Sequence, residues 1–266
     1  MVPKVSVVVP VYCSSEAHEG YLAETLESVA AQSYRGFETV IVDDASPRDI
    51  SGLLSRFEAV LHPNLVTHNS NLGQAASRND GLRAAHGEFV AFLDHDDIWM
   101  PDKLARTVPV FEEKPSANLV FSAVEIVGYS EALNKIDQST IPPCPDFEWF
   151  FRHGNFVITT SAAVVRRVAL LDAGGFDPRY TTSDDFDAWL RLLMSGSAAY
   201  VPERLVRYRL HESNLNYRVV RANDTRLLLR VYLRYWMSAG LASKIGMLPR
   251  LAKKSAGVVY HRLRRW

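Results

Sequence analysis

Val5 to Pro10 is an apolar, largely β-branched run interrupted only by Ser6. It is short and ends at a proline, which predicts a strand buried on both faces of a parallel sheet. Tyr21 to Gln32 carries apolar residues at Leu22, Leu26, Val29 and Ala30, the spacing of one helix face. Phe37 to Val42 predicts a second strand and ends in Asp43-Asp44. Ile50 to Val60 predicts a helix, Asn64 to Thr67 a short strand, and Leu72 to His86 a helix that includes Gly81. Glu88 to Leu93 predicts a further strand, running into Asp94-His95-Asp96-Asp97.

Strands alternating with helices predict an open α/β sheet, Rossmann-like and mostly parallel, flanked by helices. Ligands of such sheets bind beyond the carboxyl ends of the strands. Three polar clusters fall there: Pro10 to Glu16, Asp43 to Ser46, and Asp94 to Asp97. After Asp97 the pattern changes. Asn118 to Gly128 reads as a strand, Ser130 to Pro145 as a proline-containing loop, and Ile158 to Arg166 as a strand. Val168 to Ala173 and Phe186 to Met194 read as helices, and Ala198 to Leu210 as mostly extended. The reading gives one domain over residues 1–218, with an α/β half (1–97) and an appended α+β half (98–218). Residues 219–266 read as a basic helical tail.

In the 266 residues, 47% are hydrophobic and 23% charged, an ordinary globular balance. The formal net charge is zero, so no global field points to nucleic acid. Cys13 and Cys144 stand far apart without metal-type spacing and read as two reduced thiols. No signal-peptide pattern and no long apolar span is present, so a cytoplasmic protein is expected. From Thr225 to Trp266 there are ten Lys or Arg residues and no Asp or Glu. Arg226, Arg230 and Arg234 recur every four residues beside an apolar surface. That predicts either a helix in the headgroup plane of an anionic membrane, at its inner face, or one docked on the domain.

Asp94-His95-Asp96 closes a predicted strand, and residues two apart on a strand point the same way. Two carboxylates on one face suit Mg²⁺ or Mn²⁺, which can bridge a diphosphate. Asp44 can accept hydrogen bonds from a ribose hydroxyl or a base N–H, while Ser46 can cap the next helix. No glycine-rich phosphate loop of either common pattern follows a predicted strand, so metal and basic side chains must hold the phosphates. Arg78, in Ala76-Ser77-Arg78-Asn79-Asp80-Gly81, can contact phosphate or pair internally with the Asp43 or Asp94 cluster. Asp184-Asp185 precede an amphipathic helix; they favour its N-terminus electrostatically, or supply a base for an acceptor hydroxyl.

In order, these segments resemble the family 2 glycosyltransferases of the A-type fold. The likeness rests on Val5 to Tyr12, Ile41 to Ser46, Ala76 to Gly81, Phe92 to Asp97, Gly174-Gly175-Phe176-Asp177, Asp184-Asp185 and Tyr208-Arg209-Leu210-His211. It spans roughly residues 3 to 215. The resemblance implies that Pro10, Tyr12 and Glu16 line the base pocket and that Asp44 contacts base or ribose. Asp94, with His95 beside it, would face the ribose or sugar. Asp96 would ligate Mn²⁺ or Mg²⁺, with His211 beside the metal or diphosphate and Arg207 or Arg209 near the phosphates. Asp185 would be the base of an inverting transfer, with Asp184 on the acceptor side. The family usually has Glu-Asp where this chain has Asp184-Asp185, and often Asn in place of Cys13.

The implied reaction moves a sugar, by prior from a UDP-sugar, to a glycan or lipid-linked glycan in surface polysaccharide synthesis. The alternatives are a nucleotidyltransferase on a related sheet and an inactive nucleotide-sugar-binding module. The first usually carries a basic, glycine-rich loop after its first strand, which Tyr12 to Gly20 is not.

Overall fold

The computed structural model describes residues 3–128, 137–180, 182–211, 214 and 226–247. The first half contains β1 (Val5–Val11), α1 (Glu16–Ala30), β2 (Phe37–Asp43), α2 (Ser51–Ser55), α3 (Glu58–Leu61), β3 (Asn64–Thr67), α4 (Gln74–Ala84) and β4 (Phe89–Phe92). There follow β5 (Ile98–Trp99), α5 (Lys103–Thr107), α6 (Val110–Glu113), β6 (Ala117–Gly128), α7 (Phe147–His153), β7 (Ala163–Arg166), α8 (Arg167–Asp172), α9 (Asp184–Met194), β8 (Ser197–Leu210) and α10 (Arg226–Tyr235).

One mixed sheet runs β3-β2-β1-β4-β7-β6-β8-β5. Among the described residues, β1–β2, β2–β3, β1–β4 and β6–β8 pair in parallel, and the antiparallel β7 joins the two parallel blocks. Every residue of β1 and β4 is buried, as their apolar runs require, and the one polar side chain, Ser6, bonds Glu38 and the N–H of Gly87. Gly81 is where α4 approaches closest: a Cβ there would lie 2.2 Å from a methyl of Val8 on β1. The helix tolerates this glycine because no larger residue fits beneath it.

Several expectations are corrected. The helix expected over Ile50 to Val60 is two short helices, α2 and α3, separated at Arg56-Phe57. Leu53, Leu54, Phe57 and Leu61 are all buried, so the apolar period survives a break that periodicity cannot detect. The strand expected over Ile158 to Arg166 is only β7, because Thr160–Ala162 is a 3-10 turn with Thr159 accepting from the N–H of Ser161. Glu16, Asp184 and Asp185 all lie inside helices that begin earlier than expected. Both cysteines are free. The expected 130–145 loop, the 218–219 boundary and the basic run from Arg250 onward lie wholly or partly outside the described residues.

Helix α10 docks on the domain. Val231, Tyr232 and Tyr235 are buried, and Arg234 pairs with Asp177 and Asp187 at 3.3 and 3.1 Å. Arg234 therefore faces acidic partners of the domain, which corrects the reading of an outward arginine stripe at that position.

Lys103 is fully buried and its Nζ donates to the carbonyl of Ala162 at 2.7 Å. Burial pushes its pKa down to about 7. From about pH 7 up to its ordinary value the unfolded chain binds a proton that the folded chain does not. Stability should therefore rise with pH across that window, by at most about 1.4 kcal/mol per pH unit. Urea melts between about pH 7 and 8.5 check this: Lys103→Met should show a shallower rise than the unaltered chain. Parallel slopes would mean that Lys103 keeps its proton when folded.

Candidate active site

A cleft of about 310 Å³ opens beyond the carboxyl ends of β1, β2 and β4 and extends to the start of α9 and the end of β8. Pro10 and Tyr12 line one wall, Tyr12 being partly exposed at the mouth. Glu16 is exposed on the first turn of α1 and does not line the cleft.

Asp44 lines the cleft but is almost wholly committed to the protein. Its carboxylate accepts from the N–H groups of Leu72 and Gly73 at 2.7 and 2.8 Å and meets Nδ1 of His68 at 2.7 Å. It thereby fixes the turn that starts α4, where Gly73 takes a φ of +88°. His68 meets Asp80 through Nε2 at 3.0 Å. Burial alone would lower the imidazole pKa, but the bonds to Asp44 and Asp80 outweigh it and raise it. Ser46 caps no helix, correcting that expectation: Ile50 precedes α2, and Ser46 Oγ accepts from the N–H of Cys13 at 2.8 Å. It ties the end of β2 to the end of β1.

Arg78 realises the internal ion pair. It is buried on α4, its Nη2 donating to Asp94 at 2.9 and 3.2 Å and its Nη1 to Asp184 at 3.1 Å. Its Nε has no partner among the described residues. Asn79, the next residue, clamps the loop before α9: its amide donates to the carbonyl of Phe176 and accepts from the N–H of Phe176, both at 2.7 Å. Gly175 must be glycine here, since a Cβ would lie 2.3 Å from Asn79 Oδ1 and its φ is +68°. Two motifs read separately in the sequence thus interlock.

The expectation that strand alternation puts Asp94 and Asp96 on one face is corrected. β4 ends at Phe92, so both lie in the following loop. Both line the cleft, with different partners. Asp94 turns to Arg78 and Gln74. Asp96 Oδ2 lies 3.0 Å from Nε2 of His211 and accepts from the amide of Asn214 at 3.0 Å. Burial would raise the Asp96 carboxyl, yet the bond from His211 and the charges of His95 and His211 hold it below its ordinary value. Rings of His18, His95, His211 and Tyr21 gather beside it. Behind them, the buried Asp97 receives the hydroxyls of Thr159 and Ser161 and the N–H of Arg209. Burial, with Asp96 and Asp94 nearby, raises that carboxyl well above the usual range.

Neither Arg207 nor Arg209 lines the cleft. Arg207 pairs with Glu125 at 2.9 Å, and Arg209 pairs with Glu24 and lies over the Tyr21 ring. Asp184 and Asp185 begin α9 behind Ser183, whose φ is +73°. Asp185 accepts from its neighbour's N–H, that of Phe186, at 2.7 Å and from Asn155 Nδ2 at 2.9 Å. Burial, then the adjacent Asp184 charge, pushes its pKa up to about 6. Asn155, Asn214 and His18 were not found from sequence. Each is a single polar residue in no motif; only the fold brings His18 and Asn214 to the cleft and sets Asn155 against Asp185.

Asp96 and His211 offer a hard oxygen and an imidazole nitrogen to one point, donors that suit Mn²⁺ or Mg²⁺. Among the described residues no cluster of three or more His, Cys, Asp or Glu side chains could hold a metal alone. An ion here would complete its shell with oxygens from elsewhere, such as water or a bound ligand.

Residues 6–173, more than half of the chain, match the family described as glycosyl transferase family 2. The chain belongs to glycosyltransferase family 2. The glycosyltransferase is 31% identical over 227 residues to TuaG of Bacillus subtilis, named for teichuronic acid biosynthesis, covering 80% of this chain and 82% of TuaG. Its A-type fold is shared with the crystal structure of S. aureus TarS, at a TM-score of 0.71 and 20% identity. That match covers 94% of this chain, which spans 43% of the TarS chain; a TarS 1–349 structure is a complex with UDP-GlcNAc. The mannosyltransferase PcManGT of Pyrobaculum calidifontis, in complex with GDP-Man and Mn²⁺, matches at a TM-score of 0.67 and 22% identity. It covers 99% of this chain and 76% of that one.

Proposed function

We propose that this glycosyltransferase is inverting and metal-dependent, moving a sugar from a nucleoside-diphosphate donor to a hydroxyl of a glycan or lipid-linked glycan. Bacterial surface polysaccharide synthesis is its setting, as the name of TuaG supports. UDP is the first donor to try, because a TarS structure holds UDP-GlcNAc. The observation that carries the reading is one cleft lined by Asp96 and His211 and by Asp185. The first pair suits a diphosphate's counter-ion, and the last a proton acceptor.

In this reading residues 1–97 serve the nucleotide and 98–218 the acceptor. Pro10 and Tyr12 flank the base, and Asp44 shapes the turn against which the nucleotide lies. Asp96 and His211, which now bond each other, would hold Mn²⁺ or Mg²⁺. The ion would supply positive charge to the departing diphosphate. Asp185 receives the proton of the acceptor hydroxyl as the acceptor oxygen bonds to the anomeric carbon and that carbon's bond to the diphosphate oxygen breaks, while the N–H of Phe186 and Asn155 keep the carboxylate aimed. Arg78 offsets one of the two charges of Asp94 and Asp184, which limits the negative charge where an anionic donor must enter.

Calorimetry of UDP binding tests the metal. Affinity should be strong with Mn²⁺ and largely lost after EDTA treatment, and Asp96→Asn should bind weakly under both conditions. Equal affinity with and without metal, for every nucleoside diphosphate tried, would overturn the assignment of Asp96 and His211.

A further inference from the structure

Residues 226–247 form α10, a turn, and a second helical stretch over 241–247. The inner side of this segment is fully used. Val231, Tyr232, Tyr235, Ala239, Ser243 and Met247 are buried. Tyr235 Oη donates to Asp187 at 2.8 Å, and the N–H of Gly240 donates to Glu148 at 2.8 Å. The outer side is unexpected. Leu233, Met237, Leu241 and Ile245 follow one another at intervals of four, across the turn, and are 58–83% exposed. An amphipathic segment that docks on a domain normally turns polar residues to water. This one shows water a second apolar line.

We infer that this line is a docking surface for an anionic lipid bilayer, lying in the boundary between headgroups and acyl chains. Charge selects that partner. Arg230 is exposed beside the line, and in sequence the tail from Thr225 to Trp266 carries ten cationic residues and no acidic one, of which Arg234 is already paired with the domain. A second copy of this chain would bring the same cations against themselves, whereas an anionic leaflet complements them. The side chains argue likewise. The aromatic residues that anchor protein interfaces, Tyr232, Tyr235 and Trp236, are buried or half-buried, leaving outward only aliphatic chains and a thioether. Among the described residues no helix is long and apolar enough to cross a membrane, so the segment lies on the surface.

The surface is tied to the catalytic helix. Arg234 and Tyr235, flanking the line, both bond Asp187 on α9, two residues beyond Asp185. Docking would thus fix the cleft relative to the bilayer. This deepens the acceptor assignment above, on which it rests for its purpose: the acceptor is the lipid-linked one.

Vesicle flotation tests it. The full chain should float with phosphatidylcholine–phosphatidylglycerol vesicles at low salt, and much less with phosphatidylcholine alone or at high salt. The quadruple variant L233S/M237S/L241S/I245S should partition at least about tenfold more weakly, with an unchanged far-ultraviolet spectrum and melting temperature. Equal flotation of variant and unaltered chain would overturn the inference. So would a concentration-dependent dimer, lost in the variant, from a chain that binds no vesicle. UDP calorimetry on both proteins separates the two readings. Lost flotation with intact UDP binding touches the docking surface alone, and flotation without nucleotide binding overturns only the proposed reaction.

Discussion

Asp185→Asn should lower turnover by about 10²–10⁴-fold while leaving metal-dependent UDP affinity near that of the unaltered enzyme. The substitution is nearly isosteric. The introduced amide oxygen would still accept from the N–H of Phe186, and Asn155 could turn its own amide to keep the second bond. What is lost is a group able to take a proton at neutral pH. Because burial and Asp184 push the Asp185 pKa up to about 6, activity should climb as pH rises through that value and level off above it. The residual activity of the variant should lack this limb. Folding gives a control with the opposite sign. A carboxyl whose folded pKa lies above its unfolded value costs stability once pH passes both, so the neutral amide should melt no lower than the original. Near-normal turnover, or a variant that unfolds, would remove Asp185 from the reaction.

Arg78→Met should cost about 3–5 kcal/mol of folding stability, the usual result of breaking a buried pair by deleting one partner. Two acidic side chains from different parts of the chain, Asp94 and Asp184, converge on this guanidinium, which is almost wholly buried. Without it both carboxylates face a low-dielectric site with no counter-charge, and they lie beside Asp185. The loss should shrink in acid, where protonation removes the uncompensated charge. Arg78→Lys should recover little, because one ammonium cannot span two carboxylates with the planar fork of arginine. Urea unfolding at neutral and acid pH measures all three. A loss below about 1 kcal/mol at neutral pH would mean that water reaches the site and screens the pair.

The first half of the fold was readable because its signals are local. Buried parallel strands must be mainly apolar, and β4 is wholly so, β1 is apart from Ser6, and β2 is over Val40 to Val42. Residues at and just after their carboxyl ends must sit at the sheet edge, which brings Pro10, Asp44, Asp94 and Asp96 to one cleft. Direction was less readable than position. Asp94 and Asp96 sit in a loop, where alternation does not hold, and Arg207 and Arg209 sit at the right end of β8 yet face Glu125 and Glu24. A cation finds its nearest acid in space, and spacing along the chain does not say which that is. The tail shows the same limit. Its heptad-like pattern contains two apolar lines, and only packing reveals that the one with Tyr232 and Tyr235 faces inward.

The bonds to Asp187 also set an order of events during synthesis. Helix α9 leaves the ribosome before α10 exists. In that interval Asp187, with no surface exposure in the finished fold, has Arg191 for a partner but neither Arg234 nor Tyr235. The apolar wall formed by Phe151 and Phe186 meanwhile lacks its Tyr232 neighbour. The helix that carries Asp185 therefore gains its last partners only once residues 226–235 have been made, although it lies mid-chain. A chain halted before residue 226 would present a complete set of cleft residues on an unbraced helix, an exposed aromatic face, and a target for chaperones.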